Sequence, residues 1–296
     1  MLKLKILLLG SAGMAGHIIK KELLKISDKF EIIDIARNSN YTRPTFEIDL
    51  RNFKSIETLI NNHEFDYIIN CSGILNKIAE ENPDEAILIN SYLPHFLEKL
   101  TKFKKAKIIQ ISTDCVFSGS RGNYLENDLK DGVGYYAQTK ALGELNNKKD
   151  LTIRTSIIGP DLNGNGIGLF NWFINQTGNI NGYSHAYWSG VTTLQLAKSI
   201  IKLILENTSI SGVIHLTNNI KISKYDLLQI IKNIFDMKNI NITKSDKYKI
   251  DKSLNPLPKF LFRLIIKFEK IELLNTFKSA LIGLTIFISL LLSINN

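Results

Sequence analysis

Short apolar runs and longer amphipathic stretches alternate through the first half of the chain. The runs "LKILLLG", "FEIIDI", "YIINC", "AKIIQIST" and "LTIRTSIIG" have strand length and are rich in β-branched residues. Between them, helical periodicity predicts helices over about 14–26, 53–62 and 83–100. Strands without a polar face suit a sheet covered on both sides, so the pattern predicts an α/β fold built on a doubly wound parallel sheet.

From about residue 160 the texture changes. Glycine, asparagine and aromatic residues crowd "GPDLNGNGIGLFNWF" and "NGYSHAYWSGVTT", which predicts a smaller, loop-rich lobe closing over a ligand. Helices expected near 194–206 and 223–235 flank "SGVIHLT", a strand that returns to the main sheet. The expected division is residues 1–159 for the first domain, 160–258 for the smaller lobe and 259–296 for an atypical basic and hydrophobic tail. In that tail Ser279 to Ile294 carry no charge, about sixteen residues against the roughly 17–25 of a spanning helix. A membrane anchor, an interfacial helix, a packed helix and an altered ending all stay open.

Composition adds three constraints. Thirty-seven basic against 28 acidic residues leave a formal charge of +9, which suits anionic small molecules or an acidic membrane surface, although lysine abundance by itself supplies part of it. The basic residues are dispersed and not interleaved with aromatics, so nucleic acid is not an expected partner. Cys71 and Cys115 each adjoin an apolar run, as expected for reduced thiols in a cytoplasmic protein, and no histidine has metal-ligand spacing, so no metal is assigned. Membrane association through 260–296 is the open exception to a cytoplasmic location.

The turn "GSAGMAG" places Gly10, Gly13 and Gly16 between the first strand and the first helix. There, free N–H groups and the helix dipole favour a pyrophosphate, which makes the fold Rossmann-type and the ligand NADP(H) or NAD(H). Asp34 would bond an adenosine ribose and favours NAD; Arg37 could pair with a 2′-phosphate and favours NADP. Met14 in the same turn, Asp49 and Leu50 in "EIDL", and Ser72 after "YIINC" complete the expected cofactor-binding set.

The stretch "GYYAQTK" offers two tyrosines to one lysine. On a helix, residues four apart lie only about 40° round the axis, so Tyr136 shares a face with Lys140 and Tyr135 does not. An ammonium roughly 4–5 Å away would stabilise a phenolate by ~3–4 kcal/mol at an effective dielectric of about 20. The spacing alone is weak, since Tyr248 and Lys252 repeat it. Context strengthens it: Thr113 ends the strand "IIQISTDCVFSG", where parallel sheets place ligands.

Strand-end Thr113, then Tyr136 and Lys140, behind a glycine-rich turn, resemble the extended short-chain dehydrogenase/reductase superfamily. Within it, "STDCVFSG", "GNYLEND", "YAQTKALGE" and "RTSIIG" resemble the dTDP-4-dehydrorhamnose reductase family, from residue 1 to about 255, with "DKSL" the last similar stretch. The resemblance implies NAD(P)H-dependent reduction of the C4 ketone of a nucleotide-linked 4-keto-6-deoxyhexose, in deoxysugar supply for a surface polysaccharide. It implies that Thr113 bonds the carbonyl oxygen, Tyr136 protonates it, and Lys140 binds the nicotinamide ribose and lowers the phenol pKa. Asp114 and Cys115 would touch the sugar, Cys115 standing where the family has tyrosine. The expected partner is a nucleotide sugar, with a homodimer left open. Nucleotide-sugar epimerase or dehydratase chemistry and a non-catalytic regulatory role, known among relatives, are the alternatives; a dehydratase would need a carboxylate where Cys115 stands.

Overall fold

The computed structural model describes residues 2–37, 43–162 and 168–255. The tail expected over 259–296 lies outside the described residues. In chain order the strands are β1 (Leu4–Leu9), β2 (Phe30–Ala36), β3 (Phe46–Glu47), β4 (Tyr67–Asn70), β5 (Lys107–Thr113), β6 (Leu151–Thr155), β7 (Ile157–Ile158), β8 (Gly178–Trp188), β9 (Val191–Thr192), β10 (Gly212–His215), β11 (Ile222–Ser223) and β12 (Ile240–Asp251).

Seven of them form one parallel sheet in the order β3-β2-β1-β4-β5-β6-β10. The order reverses direction between β1 and β4, and that switch point opens a crevice at the carboxyl ends of the strands. The fold is a Rossmann-type doubly wound sheet. Its hydrophobic patterning explains why. Ile6 and Leu8 of β1 pack under the helices Gly16–Leu24 and Thr193–Leu205, while Leu7 and Leu9 face the helices Phe53–Asn62 and Leu93–Thr101. Alternate residues of one apolar strand thereby feed two cores. Helix Phe53–Asn62 starts where Asn52 accepts the Ser55 N–H at 3.1 Å, and helix Thr193–Leu205 where Thr192 accepts the Gln195 N–H at 3.0 Å.

The helix expected over 83–100 is not uniform. It begins as Pro83–Ala86, widens to π geometry over Ile87–Tyr92 and resumes α geometry over Leu93–Thr101. Pro94 has no N–H to give the Asn90 carbonyl, so the ordinary ladder cannot run through this turn. The freed carbonyl lies so close to Gly143 that any Cβ there would overlap it. A mid-helix distortion and a distant glycine are thus one packing feature.

The second half departs from the loop-rich expectation. "GNINGYSHAYW" forms the eleven-residue strand β8, paired antiparallel with β11 and parallel with the twelve-residue β12. Its aromatic and small residues disguise an alternation that emerges only against its partners: Gly182, Ser184, Ala186 and Trp188 are buried between exposed neighbours such as Tyr183. Phe170, Phe173, Trp188, Leu227 and Ile231 form the core beneath it. The run "SGVIHLT" supplies β10, which pairs parallel with β6 at the edge of the main sheet. Among the described residues no helix is long and apolar enough to cross a membrane.

One buried charge network joins the sheet to the helix Tyr135–Leu142. Glu144 accepts from Arg154 Nε at 2.7 Å and Nη2 at 2.8 Å, from Ser112 Oγ at 2.8 Å and from Lys130 Nζ at 3.1 Å. Burial alone would raise its carboxyl pKa, but the hydrogen bonds and charge of Arg154, with Lys130 and Ser112, hold it below the ordinary value. The stability it contributes is therefore present above the unfolded carboxyl pKa and lost as pH falls through the lower folded one. Glu144→Ala, which strands Arg154 in the interior, is expected to cost about 3–5 kcal/mol in urea unfolding. The double change Glu144→Leu with Arg154→Met should recover most of that loss; equal stability of the single variant and the parent would disprove the role.

Candidate functional site

The glycine turn has the geometry that a phosphate cradle requires. Gly10 adopts φ +78°, and its Cα is packed so closely on the next loop that a Cβ would stand 3.0 Å from the Ser72 nitrogen. A Cβ on Gly16 would overlap the Gly10 carbonyl, and Gly13 donates its N–H to that same carbonyl at 3.0 Å. Helix Gly16–Leu24 begins behind it with no side-chain cap and no acidic residue in its first turn, leaving N–H groups for an anionic ligand. Met14 leans towards Gly168, its sulfur 3.4 Å from where a Cβ would be. Ser72 donates both its N–H and its hydroxyl to Asn70 Oδ1 and so walls the turn from the β4 side.

Asp34 proves to be differently employed. β2 continues two residues beyond it, to Ala36, and its carboxylate is only 2% exposed. Lys20 Nζ reaches one oxygen at 2.8 Å, while Thr45 donates its hydroxyl at 2.8 Å and its N–H at 3.1 Å to the other. Burial pushes this carboxyl up, but Lys20, Ser11 and Thr45 outweigh it and hold the pKa below the ordinary value. Both oxygens bond within the protein, where the sequence expectation made Asp34 a ribose ligand. Arg37 is exposed immediately past the strand. Asp49 is held by Arg51 through Nε at 3.0 Å and Nη2 at 2.6 Å, and Leu50 packs against the core beside Phe53.

At the carboxyl end of β5 the structure brings together the residues that spacing paired. Tyr136 and Lys140 both lie in helix Tyr135–Leu142; Tyr135 is 45% exposed, whereas Lys140 is buried. The end of β5, which carries Thr113, packs against this helix, and the Thr113 hydroxyl acts on the Tyr136 phenol. Lys140 donates to the Ile111 carbonyl at 2.7 Å and lies alongside Gly73. Asp114 and Cys115 form the turn that follows Thr113, whose Oγ1 accepts the Cys115 N–H at 3.1 Å.

Electrostatics revise one expectation. Lys140 does not depress the phenol: burial raises the Tyr136 pKa above its ordinary value, Cys115 and Asp114 add to the rise, and only the Thr113 hydrogen bond opposes it. Tyr136 is thereby held as a neutral acid with a proton to give. Burial pushes Lys140 down to about 8, opposed by the charge of Glu144 and by Cys71. Burial pushes Cys71 up to about 12 and Cys115 to about 11, so neither free thiol is an effective nucleophile.

Two positioning groups escaped the sequence reading. Glu80, from helix Asn76–Glu81, accepts the N–H groups of Tyr135 and Tyr136, each at 3.1 Å, and so caps the catalytic helix from outside. Asn90, in the π segment, accepts the Ile74 N–H at 2.8 Å and donates to the Ile74 carbonyl at 2.9 Å and to Thr139 Oγ1 at 3.1 Å. It ties the loop after β4 to the same helix. Neither had a local signature, because an acidic residue before "NPDE" and an asparagine amid "ILINSY" read as ordinary helix surface.

Removing the external cap should loosen the tyrosine. Glu80→Ala is expected to lower kcat roughly tenfold with little change in KM, and Glu80→Gln, which keeps the acceptor oxygen, should recover much of it. Unaltered kcat in both variants would exclude a positioning role. For Lys140 the sign runs from its depressed pKa: below about 8 the folded state bears the cost of a buried charge, and stability rises with pH between about 8 and the unfolded value near 10.4. Lys140→Met should therefore be more stable than the parent at pH 7, with a gain that shrinks by pH 9.5; a pH-independent difference in urea midpoints would contradict this.

Comparison with known proteins agrees with this geometry. The family model described as RmlD substrate binding domain matches residues 4–258. Methionine adenosyltransferase 2 subunit beta of Xenopus tropicalis is 24% identical over 244 residues, covering 78% of this chain and 72% of that protein. The crystal structure of a hypothetical dTDP-4-dehydrorhamnose reductase from Sulfolobus tokodaii superposes with a TM-score of 0.75 at 25% identity, covering 90% of this chain and 96% of that one. The dTDP-4-dehydrorhamnose reductase of Bacillus anthracis, solved in complex with NADP, shares the fold with a TM-score of 0.75 at 22% identity, covering 93% and 99% of the two chains. With the family model spanning nearly all the described residues, the chain belongs to the RmlD substrate-binding-domain family.

Proposed function

We propose that this protein is an NAD(P)H-dependent reductase acting on the C4 ketone of a nucleotide-linked 4-keto-6-deoxyhexose. The observation that carries the reading is that the end of β5 carrying Thr113 packs against the helix that holds Tyr136 and the buried Lys140, at the same carboxyl edge of the sheet as the glycine turn. Family membership supports oxidoreductase chemistry, and the glycine turn fits the pyrophosphate of a nicotinamide dinucleotide because a Cβ would fill the space at Gly10 or Gly16. NADP(H) or NAD(H), when bound, supplies the hydride. Gly10, Gly13 and Gly16 would hold its phosphates, and Arg37 would meet a 2′-phosphate.

The residues of the chain manage the oxygen. Thr113 donates to the substrate carbonyl, polarising it, and Tyr136 gives up its proton as negative charge develops there. The raised pKa makes Tyr136 reluctant to ionise before hydride arrives and hence unable to leak its proton to water. Lys140, held by the Ile111 carbonyl, would bind the nicotinamide ribose. Asp114 and Cys115 flank the sugar. Carboxylate-assisted elimination is disfavoured because Cys115 offers a protonated thiol, with its pKa near 11, where a second acid/base would stand.

The likeness to a methionine adenosyltransferase subunit favours one second reading, a dinucleotide-binding regulatory subunit. Retention of Thr113, Tyr136 and Lys140 in one connected site weighs against it. Following the loss of reduced-nicotinamide absorbance with NADPH or NADH, first with dTDP-4-dehydrorhamnose and then with other nucleotide 4-keto-sugars, separates the two. Turnover is expected, and Tyr136→Phe should reduce kcat by about 10²–10⁴. Full turnover by that variant would remove the proposed acid, and dinucleotide binding without turnover of any such sugar would favour the regulatory reading.

A further inference from the structure

The smaller lobe turns one face of its sheet outwards. Gly182, Ser184, Ala186 and Trp188 of β8 are buried, which leaves Tyr183, His185 and Tyr187 on the opposite face, following one another about 7 Å apart along the strand. None of the three belongs to the cofactor turn or to the site around Tyr136.

Pairing with β12 widens this face. Ser245 is in register with Tyr183 and Lys249 with His185, so Asp246, Lys247 and Tyr248 stand opposite the single residue Ser184, and β12 bulges there. The bulge brings the Tyr248 ring to 5.4 Å from that of Tyr183, with the planes tilted by 52°. Tyr183 is 40% exposed and Tyr248 50%, so the pair offers an open aromatic surface. The His185 and Tyr187 rings, 6.5 Å apart, continue the row.

Cations border the rings. Lys221 Nζ lies 4.4 Å from the Tyr187 ring centroid and donates to Asp251 at 2.7 Å. Asp246 is engaged by His185 Nδ1 at 3.3 Å and by the Ser184 hydroxyl. Both carboxylates of the face therefore have partners, whereas the exposed Lys247 and Lys249 form no salt bridge among the described residues. Open rings beside uncompensated ammonium groups meet the two needs of a single-stranded polynucleotide, stacking for its bases and charge for its phosphates. A neutral glycan would use the rings and leave the lysines idle; an acidic peptide would do the reverse.

We propose that the outward face of β8 and β12 binds single-stranded nucleic acid, with bases stacking on Tyr183, Tyr248 and His185 and phosphates meeting Lys247 and Lys249. This revises the expectation drawn from the order of residues, in which basic and aromatic side chains stood apart. Most of the rings belong to β8 and the unpaired lysines to β12, and strand pairing interleaves them. The proposal goes beyond the reductase reading and does not rest on it.

Fluorescence anisotropy on the full chain tests it, with NADPH in excess so that the cofactor turn is filled. The probes are labelled oligo(U) and oligo(dT) of about twelve nucleotides. At least one should bind, and more tightly than a duplex of the same length. Tyr183→Ala and Tyr248→Ala should each weaken binding about tenfold, while Tyr183→Phe and Tyr248→Phe, which keep the rings, should retain it. Joint replacement Lys247→Gln with Lys249→Gln should make log affinity less steep in log salt by about 1.4, the loss of two phosphate contacts on a single strand. Preference for oligo(U) assigns the face to RNA and preference for oligo(dT) to DNA; both support it. No binding of either strand, or binding unchanged in both alanine variants, overturns it. Equal affinity for the duplex or for heparin would reduce the face to a general polyanion surface and overturn it too. No turnover is read, so failure of the reductase reading would leave either result standing.

Discussion

The carboxylate of Glu144 receives both arms of Arg154 from β6 and the hydroxyl of Ser112 from β5 in the interior, and the ammonium of the exposed Lys130 from outside. It stands just past the end of the catalytic helix, so that helix cannot shift along the sheet without stripping a buried charge of its partners. The opposite end is held by Glu80 and the middle by Asn90. A helix of only eight residues, too short to be stable alone, is thereby fixed by three side chains from elsewhere in the chain. Placement of Tyr136 against Thr113 follows from that clamping.

Burial then sets the chemistry. The same exclusion of water raises the Tyr136 phenol pKa and lowers the Lys140 pKa towards neutrality, favouring the neutral form of each. The arrangement costs stability at Lys140, the usual consequence of a functional group held in a place unsuited to its charge. Asn90, in the π turn that Pro94 imposes, presents its carbonyl to Gly143 and its side chain to Gly73, which also lies alongside Lys140. Backbone distortion in one helix and missing side chains in two loops serve a single close approach.

How much was legible beforehand depends on the range of the interaction. Unbroken apolar runs such as "KILLL" can only be strands covered on both faces, and helical geometry separates Tyr136 from Tyr135 without any tertiary information. Glycines 10, 13 and 16 likewise speak through local backbone sterics. The place of Asp34 in the sequence says nothing of Lys20 and Thr45, which bond both its oxygens. The strand β8 was hidden because its alternation is glycine and serine against tyrosine and histidine, a pattern of size more than of hydropathy.

The sequence by itself determined the parallel sheet, the dinucleotide turn and the shared helix face of Tyr136 and Lys140, since each follows from contacts within a few residues or from the period of one element. Only the tertiary structure decided which carboxylates are free, what holds the catalytic helix and what surrounds the Asp114 turn. Those outcomes depend on pairs separated by tens of residues, such as Glu80 with Tyr136 and Asn90 with Thr139, and such pairs leave no periodic trace in either segment.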